Sequence, residues 1–390
     1  INIHGEITAD LIGLLGADAF KNYVVYSGWY KNLENVLEST STNLKMFNTV
    51  RNFINAKNLR LIQSDLKIKV PPAIVQYKIE NVSGQRFAKR ALQIAAAGWH
   101  NIFISGPTGE GKTLLANSVS ELLSVPTQKE LITLIKNNNY FNSANNKFDL
   151  LLRPNIYLDN RATKTSLFGN KNHPGKFEAA SLGCLIMDEL CEWDKEVLEK
   201  LKTAIDNQFL IRKNLIIGVS NLCPCGKLEK KLDDLSAIND ISFCVCSPSI
   251  KKRYQQKISR SLYERFPLHI NVSGNNSGIS EYNDKFEIET FLTEISHAIK
   301  AQQIRYKSEM YQFNGIVPHS ELSKYIQIDE YKLNLVETIA IEKNFSKRMK
   351  HNLLRVAQTI ADLDIKNDAG ISENHLYEAL GLLYNPEILD

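Results

Sequence analysis

The sequence predicts an α/β fold built on a parallel sheet with helices on both faces, followed by a purely helical domain. Three observations carry that prediction. Short apolar runs at 101–105, 182–187, 214–220 and 269–272 alternate with helical patterns, as strands joined by crossover helices do. The stretch Gly106-Pro107-Thr108-Gly109-Glu110-Gly111-Lys112-Thr113 lies between the first of those runs and a helix, and it fits G-x-x-x-x-G-K-[ST]. Beyond the turn-rich Ser273–Gly278, only helical periodicity remains.

Taken in order, residues 1–56 alternate strand-like pieces such as Tyr23-Val24-Val25-Tyr26 with a helical stretch over Asn48–Ala56. Residues 57–80 read as a linker, where Pro71-Pro72 forces extended backbone. Gly84-Gln85 then introduces a helix with the apolar face Phe87, Ala88, Ala91, Leu92, Ile94 and Ala95, and Gly98 ends it. Asn101–Ser105 is a buried strand, and Leu114–Val119 opens the helix after the glycine-rich loop. The asparagine-rich Lys136–Lys147 reads as an exposed loop. Leu182–Met187 is a strand running into Asp188-Glu189, and the next helix aligns Val197, Leu198, Leu201 and Ile205. Asn214–Ser220 is a strand ending at Asn221, and His269–Val272 is the last strand. Helices follow near 286–308, 331–342, 346–363 and 372–383, with no internal repeat.

Length and composition set the bounds. A chain of 390 residues has room for about two or three domains. Hydrophobic content of 43% and charged content of 23% are those of an ordinary globular protein, and a net charge of +4 does not by itself demand a polyanionic partner. No apolar run approaches the roughly 18–20 residues that span a bilayer. The N-terminal residues lack the basic and apolar regions of a secretory signal, and the first residue is Ile, so the sequence reads as a fragment or a processed product. Six cysteines in this length do not make a secreted disulfide scaffold, which points to a reducing cytoplasm.

The chemistry centres on Gly106–Thr113. Its glycines let backbone N–H groups curl around phosphates, and the helix N-terminus adds a favourable dipole. Lys112 supplies charge to the β- and γ-phosphates, and the Thr113 hydroxyl is placed to ligate Mg²⁺. The expected ligand is a nucleoside triphosphate. Asp188 at a strand end suits the metal, and Glu189 suits a base that orients and deprotonates water; the plainer reading is an acidic pair at a helix start. Asn221 could reach the same water or the γ-phosphate, against a simple turn role. Arg265 could serve a neighbouring subunit's nucleotide, against a solvated or ion-paired guanidinium.

Cys223-x-Cys225 and Cys244-x-Cys246 form two pairs whose thiolates could hold a tetrahedral structural Zn²⁺, although the spacing is tighter than usual; the alternative is an ordinary reduced turn. Cys184 and Cys191 read as core residues. Lys251-Lys252-Arg253, Lys257 and Arg260, with Lys227, Lys230 and Lys231 nearby, form a basic cluster that could contact DNA phosphates or simply be a solvated helix face.

The stretch from Val82-Ser83-Gly84-Gln85 to Leu115 resembles the AAA+ module of the ComM/YifB family of magnesium-chelatase-like ATPases. The resemblance continues through His173-Pro174-Gly175, Glu178-Ala179-Ala180 and Gly183–Leu190. It is strongest at Asn221-Leu222-Cys223-Pro224-Cys225-Gly226, and it extends into the lid through Arg348 and Leu354–Leu363. It covers about 80–380 and divides the chain into a remnant of a Lon-protease-like N-terminal domain (1–56), a linker (57–80), an AAA+ domain (81–273) and a helical lid domain (274–390).

The resemblance implies nucleotide contacts from Gly84, Gln85, Gly106, Pro107, Thr108, Gly109, Glu110, Gly111 and Lys112, with Mg²⁺ at Thr113 and Asp188. It further implies Glu189 as base, Asn221 as first sensor, Arg265 as a trans-acting finger and Arg348 as second sensor. A hexameric ring driving DNA branch migration in natural transformation is the implied activity. Protein remodelling, metal insertion, or a truncated ATP-binding product are its rivals. Three stretches depart from the family pattern: Arg153–Asn160 lacks both histidines, the glycine triplet is Gly169-Asn170-Lys171, and the hairpin before Asn221 is shortened to Asn207–Lys213.

Overall fold

A computed structural model of the chain describes residues 78–383, except 83, 127–129, 131–133, 135–152, 171–172, 208–213, 228–242, 273–286, 308–311, 327 and 367–369, together with five short strands before residue 78. The chain forms two units, residues 1–73 with 125–154, and 74–124 with 155–390. In the first, β1 (Asn2–Glu6), β2 (Val25–Trp29) and β4 (Leu44–Met46) form a parallel sheet, and β3 (Leu37–Glu38) pairs antiparallel with β5 (Lys67–Ile68). The strand expected at Tyr23–Tyr26 lies two residues later, at β2. The expected helix over 48–56 and the loop over 136–147 fall outside the described residues.

The second unit is organised by five parallel strands in the order β10–β6–β9–β8–β7: β6 (Ile102–Ser105), β7 (Asn155–Leu158), β8 (Cys184–Met187), β9 (Leu215–Ser220) and β10 (Leu268–Asn271). Parallel neighbours need crossover connections, which place helices over both faces and make the strands apolar on both sides. The alternation is direct. Ile102 and Ile104 of β6, with Leu215, Ile217 and Val219 of β9, enter one core; Phe103, Leu185, Met187 and Ile216 enter the other.

The first core is covered by α1 (Arg86–Gly98) and α2 (Lys112–Leu122), and the second by α5 (Lys195–Asn207), which buries Val197, Leu198, Leu201 and Ile205 as expected. Short α3 (Lys164–Phe168) and α4 (Lys176–Ala179) precede β8. Before β10 come α6 (Pro248–Gln255) and α7 (Arg260–Tyr263). The C-terminal helices are α8 (Ile288–Tyr306), α9 (Leu322–Tyr325), α10 (Glu330–Glu342), α11 (Lys347–Leu363) and α12 (Glu373–Leu383). Val356, Ile360, Leu376 and Leu382 join the α1 core, so these helices and the sheet share one apolar interior. Among the described residues, no helix is long and apolar enough to cross a membrane.

Two sequence expectations change. β7 is an additional strand: at the sheet edge its residues are alternately exposed and half-buried, so Asn155-Ile156-Tyr157-Leu158 lacks the apolar run of a central strand. Phe87, placed on the buried face of α1, is 51% exposed, while Ala88, Ala91, Leu92, Ile94 and Ala95 are buried.

Candidate active site

The glycine-rich loop follows β6 and opens α2, whose cap residue Gly111 offers no side-chain hydrogen bond. The first N–H groups of α2 are therefore left for a ligand. Gly109 and Gly111 have φ of 91° and 78°, and a Cβ at either would meet no atom within 4 Å, so the loop curls around open space. Lys112 is 8% exposed, and its Nζ donates to Pro107 O at 2.6 Å and Asn221 Oδ1 at 3.1 Å. Burial pulls its ammonium below the usual lysine range, and the Asp188 and Glu110 carboxylates oppose that pull.

β8 delivers the acids. Asp188 lies one residue past its end, and its N–H continues the β7 pairing by donating to Leu158 O at 2.8 Å. Thr113 Oγ1 donates to Asp188 Oδ2 at 3.3 Å, and the Tyr157 hydroxyl donates to the same oxygen at 2.5 Å. Thus β6 and β8, separated in the sheet by β9, bring Thr113 and Asp188 together. Burial, then the hydrogen bond and charge of Asp188, push the Tyr157 phenol well above its ordinary range. Glu189 has φ of 51°, which turns it out of the strand line; it is exposed, and its carboxylate has no hydrogen-bond partner among the described residues.

β9 delivers Asn221 to the same place, where Oδ1 also accepts from Thr108 Oγ1 at 3.4 Å. The turn after it is tied to the loop, because Thr108 N donates to Gly226 O at 2.7 Å. Gly226 has φ of +66°, and an added Cβ would lie 2.3 Å from Thr108 Oγ1, so the approach requires glycine. Gly84 and Gln85 sit at the head of α1 with φ of 57° and 54°. The preceding turn, Lys78–Asn81, is fastened to α2 through Lys78 N and Glu121 Oε2 at 2.7 Å.

Arg265 and Arg348 do not join this cluster. Both bind Asp206 at the end of α5: Arg265 Nε at 3.1 Å with a second bond from its Nη2, and Arg348 Nη2 at 3.2 Å. Their cavity is also lined by Asn101, Asn214 and Pro267, which immediately precede β6, β9 and β10. The loop lies beyond the opposite end of β6, roughly 13 Å away along a four-residue strand. Arg355 is buried in the same cavity, where it donates to Asn352 Oδ1 at 3.2 Å and lies 3.3 Å from His319 Nδ1. Burial lowers Arg355 to about 10, and burial with the Arg355 charge lowers His319 to about 3.

The four paired cysteines gather their sulfurs within 4.8 Å of one another. Cys184 and Cys191 are buried core residues, as expected. The basic cluster is partly spent on local pairs: Lys257 binds Glu192 at 2.7 Å, and Arg260 binds Glu264 at 3.4 Å. Lys230 and Lys231 lie outside the described residues.

Residues 78–279 match the model of magnesium chelatase, subunit ChlI, and residues 288–382 match its C-terminal model. The chain belongs to the magnesium-chelatase-like AAA+ ATPases. Within this family it is similar to the competence protein ComM of Haemophilus influenzae, 28% identical over 318 residues that cover 78% of this chain and 59% of that protein. It is also similar to the YifB proteins of Salmonella typhimurium (27% identical, 77% of this chain, 59% of that one) and Escherichia coli (25% identical, 78% and 60%). The chain thus spans about three-fifths of the length of these relatives.

For a magnesium-chelatase-like ATPase, two residues stand outside the sequence motifs, one in the loop site and one at the opposite end of the sheet. Tyr157 lies on the edge strand and meets Asp188 only because β7 pairs with β8. Asp206 looks like a solvent-facing helix position and gains its role only from the two arginines brought to it. No local sequence signal marks either residue.

Proposed function

We propose that this chain is the ATP-hydrolysing motor of a ring-forming assembly that works on DNA. The observation that carries the reading is the meeting of Thr113 and Asp188 beside an open glycine cradle headed by a desolvated lysine. These residues fit Mg·ATP: Gly106–Gly111 would wrap the phosphates, with Lys112 on their outer oxygens, and Thr113 and Asp188 would hold the metal. The bound Mg²⁺ supplies charge neutralisation to the triphosphate. Lys112 trades its contacts to Pro107 and Asn221 for phosphate oxygens. Glu189, exposed and without a hydrogen-bond partner for its carboxylate among the described residues, accepts the proton of the attacking water, and Asn221 orients that water. Tyr157 holds the Asp188 carboxylate in place.

Arg265 and Arg348 lie past the other end of the sheet, so in this reading they complete the site of the next subunit, which the head-to-tail contact of a ring allows. Gly84 and Gln85, at the head of α1, contact the nucleotide base side. Residues 81–273 form the motor and 274–390 the lid, joined through 57–80 to a Lon-protease-like N-terminal domain represented by 1–56. The similarity to a competence protein favours DNA as the track, and six subunits are proposed for the ring.

The match to a magnesium chelatase subunit supports a second reading, in which the ring remodels a protein or aids metal insertion. ATP turnover of the purified chain, measured with and without branched DNA alongside its mass in ATP, separates them. Stimulation that falls steeply with salt is expected. Turnover indifferent to DNA but raised by a protein partner favours the second reading, and no turnover in a verified ring sinks both.

A further inference from the structure

The cysteine cluster is not used by the nucleotide chemistry, yet it sits on the turn that touches the phosphate loop. Cys223 Sγ lies 3.3 Å from Cys225 Sγ and 3.5 Å from Cys244 Sγ, and all four sulfurs, with that of Cys246, fall within 4.8 Å of one another. Tetrahedral zinc with Zn–S bonds near 2.3 Å separates its sulfurs by about 3.8 Å, so these spacings bracket the coordination shell. None of the four is in a disulfide. One intervening residue in each pair is tight for a zinc site, but here both pairs place their sulfurs on one centre. An all-sulfur donor set with no oxygen or imidazole selects zinc over harder divalent ions.

The cluster joins two elements. On one side, Cys223 and Cys225 belong to the turn after β9, whose Asn221 and Gly226 contact Lys112 and Thr108. On the other, Cys246 precedes Ser247, the cap of α6, whose Oγ accepts from Ile250 N at 3.4 Å. The last residue of α6, Gln255, returns to the turn and donates to Leu222 O at 3.2 Å. A metal among the sulfurs closes this circuit at its open end and fixes α6 to the turn at both of its termini.

We propose that Cys223, Cys225, Cys244 and Cys246 bind one zinc ion as four thiolates, and that this clip holds Asn221 and Gly226 against the phosphate loop. The thiol protons pass to solvent as the metal binds. The clip rests on the triphosphate site proposed above; the metal assignment does not.

Both parts are tested on the full chain purified under reducing conditions. Metal analysis should find one zinc per chain, and cobalt exchange should give the charge-transfer and visible bands of a tetrathiolate site. Zinc release by an organomercurial should weaken binding of a fluorescent ATP analogue by about tenfold, the value of one hydrogen bond to a charged group, and added zinc with thiol should restore it. Cys225→Ser and Cys246→Ser should lose zinc and bind ATP as the stripped protein does, with their fold followed by circular dichroism. A reduced chain that neither carries nor takes up zinc, or that holds iron instead, overturns the assignment. ATP affinity within twofold before and after zinc release overturns the clip. No ATP binding by the zinc-loaded chain overturns the triphosphate site and the clip together, while the zinc count stands on its own.

Discussion

Removing one hydroxyl from the edge strand tests whether Asp188 is a metal-holding carboxylate. In Tyr157→Phe the ring remains, and since Tyr157 is 44% exposed the fold has little to lose, about 0.5 kcal/mol at most. What disappears is the 2.5 Å bond to Asp188 Oδ2, leaving Thr113 at 3.3 Å as the other side-chain donor to that oxygen. Groups that orient a metal-binding carboxylate typically change metal affinity or activity by about 10–100-fold. The half-exposed setting puts this one at the low end, about tenfold, or about 1.4 kcal/mol. The assay is ATP turnover against Mg²⁺ concentration at saturating ATP, with the midpoint expected to rise about tenfold while turnover at saturating Mg²⁺ falls much less. Because the phenol is held above its ordinary range, the tyrosine stays a neutral donor up to and beyond pH ~10, so the gap between the proteins should persist from pH 7 to 9. An unchanged Mg²⁺ midpoint would refute the placement of the metal at Asp188.

Three further outcomes are expected. Glu189→Gln should bind ATP normally and lose turnover by at least about 100-fold; hydrolysis at the parent rate removes Glu189 as the base. Arg265→Ala should keep ATP affinity yet lose turnover in the assembled form, and mixing it with Lys112→Ala subunits should restore part of the rate, because the two defects then fall on different sites; no rescue in confirmed mixed rings counts against action in trans. His100 and His269 are both held near 3 by burial, with the Arg355 charge assisting at His100, so each folded pKa lies below its unfolded value near 6.5. Below pH ~6.5 the unfolded chain binds protons that the folded chain refuses, so stability should fall by about 1.4 kcal/mol per histidine per pH unit down to about pH 3. Equal urea midpoints at pH 7 and 5.5 would contradict that burial.

Most of the α/β architecture was legible because a strand covered on both faces must be apolar throughout: Ile102–Ile104, Leu185–Met187 and Leu215–Val219 stand out on that ground alone. The C-terminal helices were legible from their 3.6-residue apolar spacing, and the expected spans 346–363 and 372–383 differ by one residue at the start from α11 and α12, although the second half of α11 is buried on all sides. β7 was not, because an edge strand has one half-exposed face and shows no such run. Phe87 marks the limit of periodicity, which gives the direction of a stripe but not how far the neighbouring helices extend over it.

The chain alone determined the phosphate loop, since the glycines, Lys112 and Thr113 are consecutive and their backbone geometry is a local matter. It also determined the acidic pair and the cysteine pairs as residue types with a chemistry. Which of them meet was decided by the strand order, which sets β9 between β6 and β8 and so brings Asn221 and Asp188 to one loop. The same order leaves Arg265 and Arg348 on Asp206 at the far end. Proximity across 75 residues, as between Thr113 and Asp188, follows from hydrogen-bonded register and packing of the whole sheet, and no local stretch of sequence carries that information.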